Sequence, residues 1–188
     1  MKINKLSMTT FFISVVTVFG LSFAGLAYAA SAELSFTSYK QTETNWCWAT
    51  NGQSIAKYYG ITLTQCAFVK SGKGTSTCNN DPGSDAEVKT GLKSNNITST
   101  AYSGYLNVTQ VSSEINAGRP IYVNWQWTNR TVGHAVTIYG YDYTVDPTRW
   151  YVKYSDPDTG TKITVQWSTL NDDGLGRYWN SGLKEIKN

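Results

Sequence analysis

The stretch Gln41-Thr42-Glu43-Thr44-Asn45-Trp46-Cys47-Trp48-Ala49 is the most informative part of this chain. Its cysteine, Cys47, has one possible imidazole partner, because His134 is the only histidine among the 188 residues. A thiol attacks a carbonyl carbon efficiently only as the thiolate, and an imidazole is the usual base that produces one near neutral pH. The pattern therefore predicts cysteine nucleophile chemistry.

The residues around Cys47 have helical spacing. We predict a helix from Trp46 to Tyr59, because small and apolar residues recur one turn apart, Thr44 or Asn45 can cap the start, and Gly60 suits a left-handed exit. Cys47 then lies in the first turn. The unpaired N–H groups and the dipole of a helix start favour a negatively charged sulfur there.

The remaining elements fall into a helical half followed by a strand-rich half. The capping-box pattern of Ser84 and Glu87 predicts a helix over 84–94, and a second helix over 109–117 ends at a glycine before Pro120. The stretch 72–75 lacks the spacing of a phosphate-binding loop and is expected to be a flexible surface loop. Residues rich in β-branched and aromatic types predict strands over 121–125, 134–141, 149–155 and 161–167. This order predicts an α+β domain, with the Cys47 helix in the N-terminal half, an antiparallel sheet in the C-terminal half and a cleft between them.

The two central strands provide a partner for the histidine. If they pair about Val145, with Asp146-Pro147 as the turn, His134 and Asp156 lie directly opposite each other. Cross-strand Cβ atoms are roughly 4.5 to 5.5 Å apart, so the carboxylate can reach the imidazole. The competing carboxylate, Asp142, is eight residues along the same strand and about 26 Å away. Asp156 is therefore expected to orient the ring and stabilise the imidazolium.

Gln41 is the candidate oxyanion donor. It precedes Cys47 by six residues, and its side-chain amide could lie beside the Cys47 backbone N–H. Each of these features is ordinary alone, since glutamines in loops are usually solvated, a strand-edge histidine is often structural, and Asp-Pro favours a turn. Their combination is much harder to obtain by chance.

The three cysteines bound the disulfide pattern. Cys66 and Cys78 enclose a Gly/Ser/Thr-rich stretch, and a disulfide between them would stabilise the fold by roughly 3 kcal/mol and leave Cys47 free. The alternative pairings of Cys47 with Cys66 or with Cys78 would remove the nucleophile. No metal site is expected, because one histidine and no Cys-x-x-Cys pattern leave too few zinc ligands.

The N-terminus has the pattern of a secretory signal peptide over residues 1–29. A basic start, an apolar stretch over 11–23 and Ala27-Tyr28-Ala29 match such signals, with 30–32 as a second cleavage option. A membrane anchor is the alternative, but the apolar stretch is short and interrupted. We therefore expect one domain over 30–188, secreted or periplasmic, monomeric and not membrane-bound after cleavage. Lys2 and Lys5 leave with the signal, which lowers the formal charge from +3 to +1 and gives no electrostatic case for nucleic acid.

Taken together, these segments resemble a known family. The segments in question are Gln41 with 45–49, Gly118-Arg119-Pro120-Ile121, Gly133-His134-Ala135-Val136, Gly140-Tyr141 and Asp156-Pro157. In this order they resemble the papain-like cysteine peptidases, in the bacterial branch that includes a secreted avirulence effector of plant pathogens and relatives of bacteriocin-leader peptidases. The resemblance implies Cys47 as nucleophile, His134 as general base and then acid, Asp156 as orienter and Gln41 as oxyanion donor. It also implies a papain-like fold that works without metal or cofactor.

The chain departs from the papain and cathepsin branch at two positions. Trp46 stands where that branch has a small residue before its cysteine, and Asp156 stands where it often has asparagine. Substrate preferences of that branch therefore do not transfer. About eighteen residues between the predicted cleavage site and Cys47 are also too few for an inhibitory pro-domain of the cathepsin kind.

Three tryptophans lie near the predicted cleft in sequence. Trp46, Trp125 and Trp127 are candidates for lining substrate subsites or for stacking on sugar rings, although tryptophans are most simply explained as core residues. The function predicted from all these features is a secreted cysteine peptidase that hydrolyses a protein or peptide substrate through a thioester. A role as effector or toxin follows from the resemblance alone. Two alternatives remain open: a cell-wall amidase or transglutaminase-like acyl transferase with the same triad, and a non-catalytic binding module with structural cysteines.

Overall fold

The protein forms an α+β domain, described by a computed structural model over residues 31–131, 133–143 and 149–188. The predicted signal peptide over 1–29 and the predicted turn at Asp146-Pro147 lie outside these residues. The elements in chain order are strand β1 (Ser31–Glu33), helices α1 (Cys47–Tyr58), α2 (Gln65–Lys73) and α3 (Asp85–Lys93), strand β2 (Thr98–Ser103), helix α4 (Val108–Asn116), strands β3 (Ile121–Trp127), β4 (His134–Asp142), β5 (Tyr151–Asp156) and β6 (Thr161–Gln166), helix α5 (Trp167–Asn171) and strand β7 (Arg177–Lys187).

The strands form one antiparallel sheet of seven strands. Six lie in the order β2-β7-β3-β4-β5-β6, and β1 pairs with the end of β4. Helices α1, α2 and α3 contact one another, and α1 also contacts β4. The predicted fold class is therefore confirmed, and the predicted helices and strands match observed elements within two residues at either end.

Helix α1 is the central element of the helical half. Trp48 and Ile55 are buried in the core, and Gly52 admits the ring of Phe68, since a Cβ at Gly52 would lie 2.1 Å from that ring. Gly60, at φ +82°, provides the predicted left-handed exit. The expected N-cap is absent, because Trp46 occupies the cap position and makes no side-chain cap hydrogen bond. The first-turn N–H groups of α1 therefore remain free of a capping side chain.

Helix α2 corrects the prediction of a surface loop over 72–75. Thr64 caps its start, because the Thr64 hydroxyl accepts a hydrogen bond from the backbone N–H of Ala67. The helix continues to Lys73, and Gly74 ends it in the left-handed region. Burial of Phe68 stabilises this helix against its unfavourable glycine and serine content.

Strands β1, β2 and β7 and the short helix α5 were also not predicted. Strand β2 interrupts the helical half, and β7 lies between β2 and β3 rather than at the end of the sheet. The sequence of β7 is polar, and Gly182 is needed where a Cβ would lie 2.0 Å from the Tyr122 carbonyl oxygen. Helix α5 follows β6 directly and buries Leu170. Such strands have weak local signals because their pairing partners are distant in sequence.

The disulfide prediction is confirmed. Cys66 and Cys78 are bonded to each other, and Cys47 is the free cysteine. The alternative pairings that would have removed the thiol are thereby excluded. In the part of the chain that the structure describes, no helix combines the length and apolar content required to cross a membrane.

Candidate active site

A cavity of about 380 Å³ lies where the start of α1 meets the start of β4. Cys47, the first residue of α1, and His134, the first residue of β4, both line it. Cys47 is half-buried, so its sulfur is shielded but accessible. The other lining residues that bear on the argument are Trp48, Asn124, Trp127, Arg130 and Asp158.

His134 is held by a carboxylate on the neighbouring strand. Its Nε2 lies 2.9 Å from Oδ1 of Asp156, and both side chains are mostly buried. This bond occupies Nε2 and leaves Nδ1 as the ring nitrogen available to Cys47, which lines the same cavity as His134. Cys47, His134 and Asp156, which the sequence predicted to act together, are thus brought into one chain of contacts.

The strand register differs from the predicted one. Thr137 pairs with Ser155, so His134 lies three residues before that pair and Asp156 one residue after it. The two residues are therefore diagonal neighbours on one face rather than direct partners, a separation that long side chains still span. Pairing about Val145 would place Asp142 opposite residue 148, whereas Asp142 pairs with Tyr151; the register shift between Ile138 and Gly140 then reduces this difference from three residues to two. An extra residue at such an irregularity changes the pairing without a clear local signal.

The electrostatics of the pair favour a charged imidazole. Burial alone would lower the pKa of His134, but the hydrogen bonds and negative charges of Asp156 and Cys47 outweigh it and raise that pKa from 6.5 to about 10. Burial likewise opposes ionisation of Asp156, but the His134 bond and charge, together with the Asp158 backbone N–H, hold its pKa below 3.8. The arrangement therefore stabilises an imidazolium between a carboxylate and the sulfur.

Of the three tryptophans predicted to line subsites, only Trp127 faces the cavity. It is half-buried, and the Arg130 guanidinium lies 5.7 Å from its ring centre. Trp125 is 1% exposed, and its ring centre lies 6.0 Å from that of His134. The Arg177 guanidinium lies 3.8 Å from the Trp125 ring centre. Trp125 therefore packs against the histidine ring and exposes almost no surface to a substrate.

Trp46 is likewise a core residue. It is 6% exposed, and its Nε1 donates to the carbonyl oxygen of Asn79. Its position beside Cys47 in sequence does not bring it into the cavity, because successive residues at the start of a helix point in different directions. The large ring anchors the segment that precedes the nucleophile.

The Gln41 amide is engaged within its own loop. Its Nε2 donates to the carbonyl oxygens of Glu43 and Thr44, both at 3.0 Å. Its buried Oε1 has no hydrogen-bond partner among the described residues. The Gln41 backbone N–H donates to the Pro157 carbonyl oxygen at 2.8 Å, which ties this loop to the turn after Asp156. An oxyanion role for the side chain remains a prediction. It requires Nε2 to break one of these hydrogen bonds so that the N–H can turn toward the substrate.

A loop over 79–82, which we term the cradle loop, supports the residues before Cys47. The Asn45 backbone N–H donates to Asn80 Oδ1, and Asn45 Nδ2 donates to the Asn80 carbonyl oxygen, both at 2.9 Å. Trp48 Nε1 donates to the Asp81 carbonyl oxygen at 3.1 Å. The cradle loop follows Cys78 directly, so the disulfide anchors it. Sequence analysis missed this loop, because nothing in the local pattern links residues 79–82 to residue 45.

The family of the chain is shown by comparison with known proteins. The model of the family described as "Papain-like cysteine protease AvrRpt2" matches residues 30–172. The chain belongs to this family. It is therefore a cysteine peptidase, as the resemblance implied. No curated protein sequence matches this peptidase significantly.

Solved structures with the same fold include two peptidases that belong to transporters. The peptidase domain of Streptococcus ComA, a bifunctional ABC transporter, is 14% identical with a TM-score of 0.58, and the match covers 78% of this peptidase and 95% of that chain. A double-glycine-motif protease from an AMS/PCAT transporter, in complex with its leader peptide, is also 14% identical with a TM-score of 0.54, covering 81% and 94%. At these identities the similarity shows the shared papain-like fold.

One group of side chains in this peptidase could also meet a cation. The ligand atoms of His134, Asp156 and Asp158 lie within 4.8 Å of one another. However, Asp156 Oδ1 is shared between His134 Nε2 and the Asp158 backbone N–H. A cation there would have to displace the bond that orients the histidine. The geometry therefore suits a thiol–imidazole–carboxylate chain better than a metal centre.

Proposed function

We propose that this peptidase hydrolyses a peptide bond of a protein or peptide substrate through a thioester on Cys47. The observation that carries the proposal is the free thiol beside an imidazole whose far nitrogen is bound to a buried carboxylate. In both steps the bonds are made and broken by these side chains and water.

The proposed first step forms the thioester. The Cys47 thiolate adds to the substrate carbonyl carbon, and the His134 imidazolium then gives its Nδ1 proton to the departing amine as the C–N bond breaks. Asp156 keeps the imidazolium stabilised and its ring in place through Nε2. The amine product leaves, and the acyl group remains on the sulfur.

The second step returns the enzyme to its starting state. His134, now neutral, accepts a proton from water as the water oxygen attacks the thioester carbon. The C–S bond breaks, the carboxylic acid leaves, and Cys47 is again a thiolate beside the protonated His134. The oxyanion of each step would be bound by first-turn N–H groups of α1, which no side chain caps. Gln41 is proposed as a further donor once substrate displaces its bond to Glu43 or Thr44.

The proposed substrate is an extended peptide that enters the cavity beside Trp127. The double-glycine protease with a similar fold is seen with a leader peptide, which supports a peptide for this chain as well. We further propose that residues 1–29 are a secretory signal and that 30–188 form a monomeric domain acting outside the cytoplasm. The Cys66–Cys78 disulfide is in keeping with an oxidising compartment. An effector role rests on the family alone.

The experiment is labelling with the epoxide inhibitor that traps papain-like thiolates. We expect modification at Cys47, mapped by mass spectrometry, to drop sharply in His134→Ala, because the thiolate loses its partner. Cys66 and Cys78 serve as internal controls, since a disulfide does not react. Equal Cys47 modification in His134→Ala and the wild type, or no modification in either, would refute the proposal and favour a binding module. Zymography on protein against cell-wall material then separates a peptidase from the cell-wall amidase alternative, and a primary amine added to the reaction detects acyl transfer.

A further inference from the structure

Asn51 is a buried polar residue that the mechanism above does not use. It lies one helical turn after Cys47 on α1 and is 1% exposed. Its Nδ2 donates to the carbonyl oxygens of Cys47 and Ala135, both at 2.8 Å. Its Oδ1 accepts from the Thr137 hydroxyl at 2.6 Å. Both amide protons and the amide oxygen thus have partners, and this is a fully satisfied buried network.

The partners of Asn51 belong to the two elements that carry the reacting groups. Cys47 is the nucleophile candidate itself, and Ala135 directly follows His134 on β4. The NH₂ group of Asn51 therefore donates one hydrogen bond to the carbonyl oxygen of the cysteine and one to that of Ala135, which follows the histidine. The Thr137 bond fixes the rotation of this amide, because it leaves the NH₂ group only one orientation.

The surroundings give no packing reason for an amide at this position. Ile55, one turn after Asn51 on α1, is fully buried and apolar, and the small polar residues Thr50 and Ser54 beside it are buried as well. A leucine has a similar volume, but it would take the Asn51 hydrogen bonds away from the buried Ala135 carbonyl oxygen and Thr137 hydroxyl. Buried polar networks are costly unless complete, and when complete they specify one geometry rather than add stability. A network between α1 and β4 would specify the distance and angle between these elements.

We propose that Asn51 is a positioning residue that sets the placement of the Cys47 sulfur against the His134 ring by tying α1 to β4. This assignment rests on the proposed function of Cys47 and His134. A misplacement of about 1 Å between reacting groups can cost about 100-fold in rate. Asn51 contacts no reacting atom, because its amide protons go to the backbone carbonyl oxygens of Cys47 and of Ala135, the residue after His134.

The test is the pH dependence of Cys47 alkylation by iodoacetamide, followed by mass spectrometry, in Asn51→Leu and the wild type. In the wild type we expect alkylation to persist at acidic pH, because the sulfur is paired with an imidazolium. In Asn51→Leu we expect the acidic-pH rate to fall about 100-fold, toward the value of His134→Ala, while the rate at alkaline pH is retained. A merely structural role would lower thermal stability but leave the shape of this profile unchanged.

Two further variants keep the test decisive. Thr137→Val removes only the hydroxyl that orients the amide, so it should fold and shift the profile in the same direction by a smaller factor. Asn95→Leu is the control, because Asn95, which lies two residues after the end of α3, makes the same i to i−4 bond: its Nδ2 donates to the carbonyl oxygen of Gly91 at 2.8 Å. It should leave the profile unchanged.

The outcomes separate this assignment from the proposed function. A folded Asn51→Leu or Thr137→Val with a wild-type profile overturns the positioning role and leaves the peptidase mechanism standing. A wild type whose acidic-pH alkylation already equals that of His134→Ala overturns the proposed mechanism, and the positioning role with it. A shifted profile in both variants with an unshifted Asn95→Leu supports the assignment.

Discussion

At the residue scale, the charge state of His134 links activity and stability to pH. Its pKa is raised to about 10 by the hydrogen bonds and charges of Asp156 and Cys47, against the opposing effect of burial. A raised pKa means that the folded state binds the proton more tightly than the unfolded chain. This stabilisation is therefore complete below pH 6.5 and is lost as the pH rises toward 10. The lowered pKa of Asp156 acts in the opposite direction, so its contribution is present above pH 3.8 and is lost on acidification below it.

We therefore expect Asp156→Asn to move the alkaline limb of the pH–activity profile to lower pH. Asparagine can keep a hydrogen bond to His134 but supplies no negative charge, so the pKa of His134 falls toward its ordinary value. The check is the rate of Cys47 inactivation by the epoxide inhibitor across the pH range in both proteins. An alkaline limb that stays in place would show that Asp156 does not control the ionisation of the histidine.

A second prediction at this scale concerns an unsatisfied hydroxyl. Thr50 is 1% exposed, and its Oγ1 has no hydrogen-bond partner among the described residues. Thr50→Val keeps the shape and removes this buried polar group, so we expect the free energy of unfolding to rise by about 1 kcal/mol. Denaturant unfolding measures the change.

The same exchange at Thr137 is the matched control for Thr50→Val. Thr137 is equally buried, but its hydroxyl donates to Asn51. Thr137→Val should therefore lower the free energy of unfolding, because it leaves the Asn51 oxygen buried without a donor. Changes of the same sign at the two positions would contradict the hydrogen-bond argument.

At the scale of elements, the Cys66–Cys78 disulfide does more than close a loop. It anchors the cradle loop over 79–82, which receives hydrogen bonds from Asn45, Trp46 and Trp48. The segment that delivers Cys47 to the cavity is thus held by a loop whose own position depends on a covalent bond. The proposed mechanism therefore requires Cys47 as a thiol while Cys66 and Cys78 stay disulfide-bonded.

We expect the double variant Cys66→Ala and Cys78→Ala to lose stability and reactivity together. The free energy of unfolding should fall by about 3 kcal/mol, because the unfolded chain regains loop entropy. Epoxide labelling of Cys47 should slow in the folded fraction, since the cradle loop no longer holds the start of α1. Thermal unfolding and labelling rates, measured without reductant, check both effects. Unchanged labelling in a fully folded double variant would limit the disulfide to a role in stability.

At the scale of the whole molecule, the site exists only because the two halves share one core. Trp48 from the helical half and Trp125 from the sheet belong to the same cluster of buried residues. Cys47 approaches His134 across 87 residues of sequence, and neither half holds both groups. The cavity between them is the predicted cleft, and its walls come from both halves.

The candidate reacting residues could be predicted from the sequence because few alternatives existed. The chain has one histidine, the returning strand ends in one carboxylate, and the favoured disulfide pairing leaves one free cysteine, although the sequence left the other pairings open. The helix around Cys47 and the strands around His134 and Asp156 could also be predicted, because their hydrophobic periodicity is local. The diagonal offset of His134 and Asp156 could not, because it depends on a register irregularity and on a turn of unknown length.

Local patterns thus determined which groups are the candidates for the reaction and on which elements they lie, since residue type and periodicity are properties of neighbouring residues. The tertiary structure alone decided how those groups are held. It buried Trp46 and Trp125 instead of exposing them to substrate, placed β7 between β2 and β3, and brought Asn51 and Asn80 against the residues that carry the chemistry. The physical reason is that packing and hydrogen bonding between segments distant in sequence depend on the whole folded chain, and no local pattern records them.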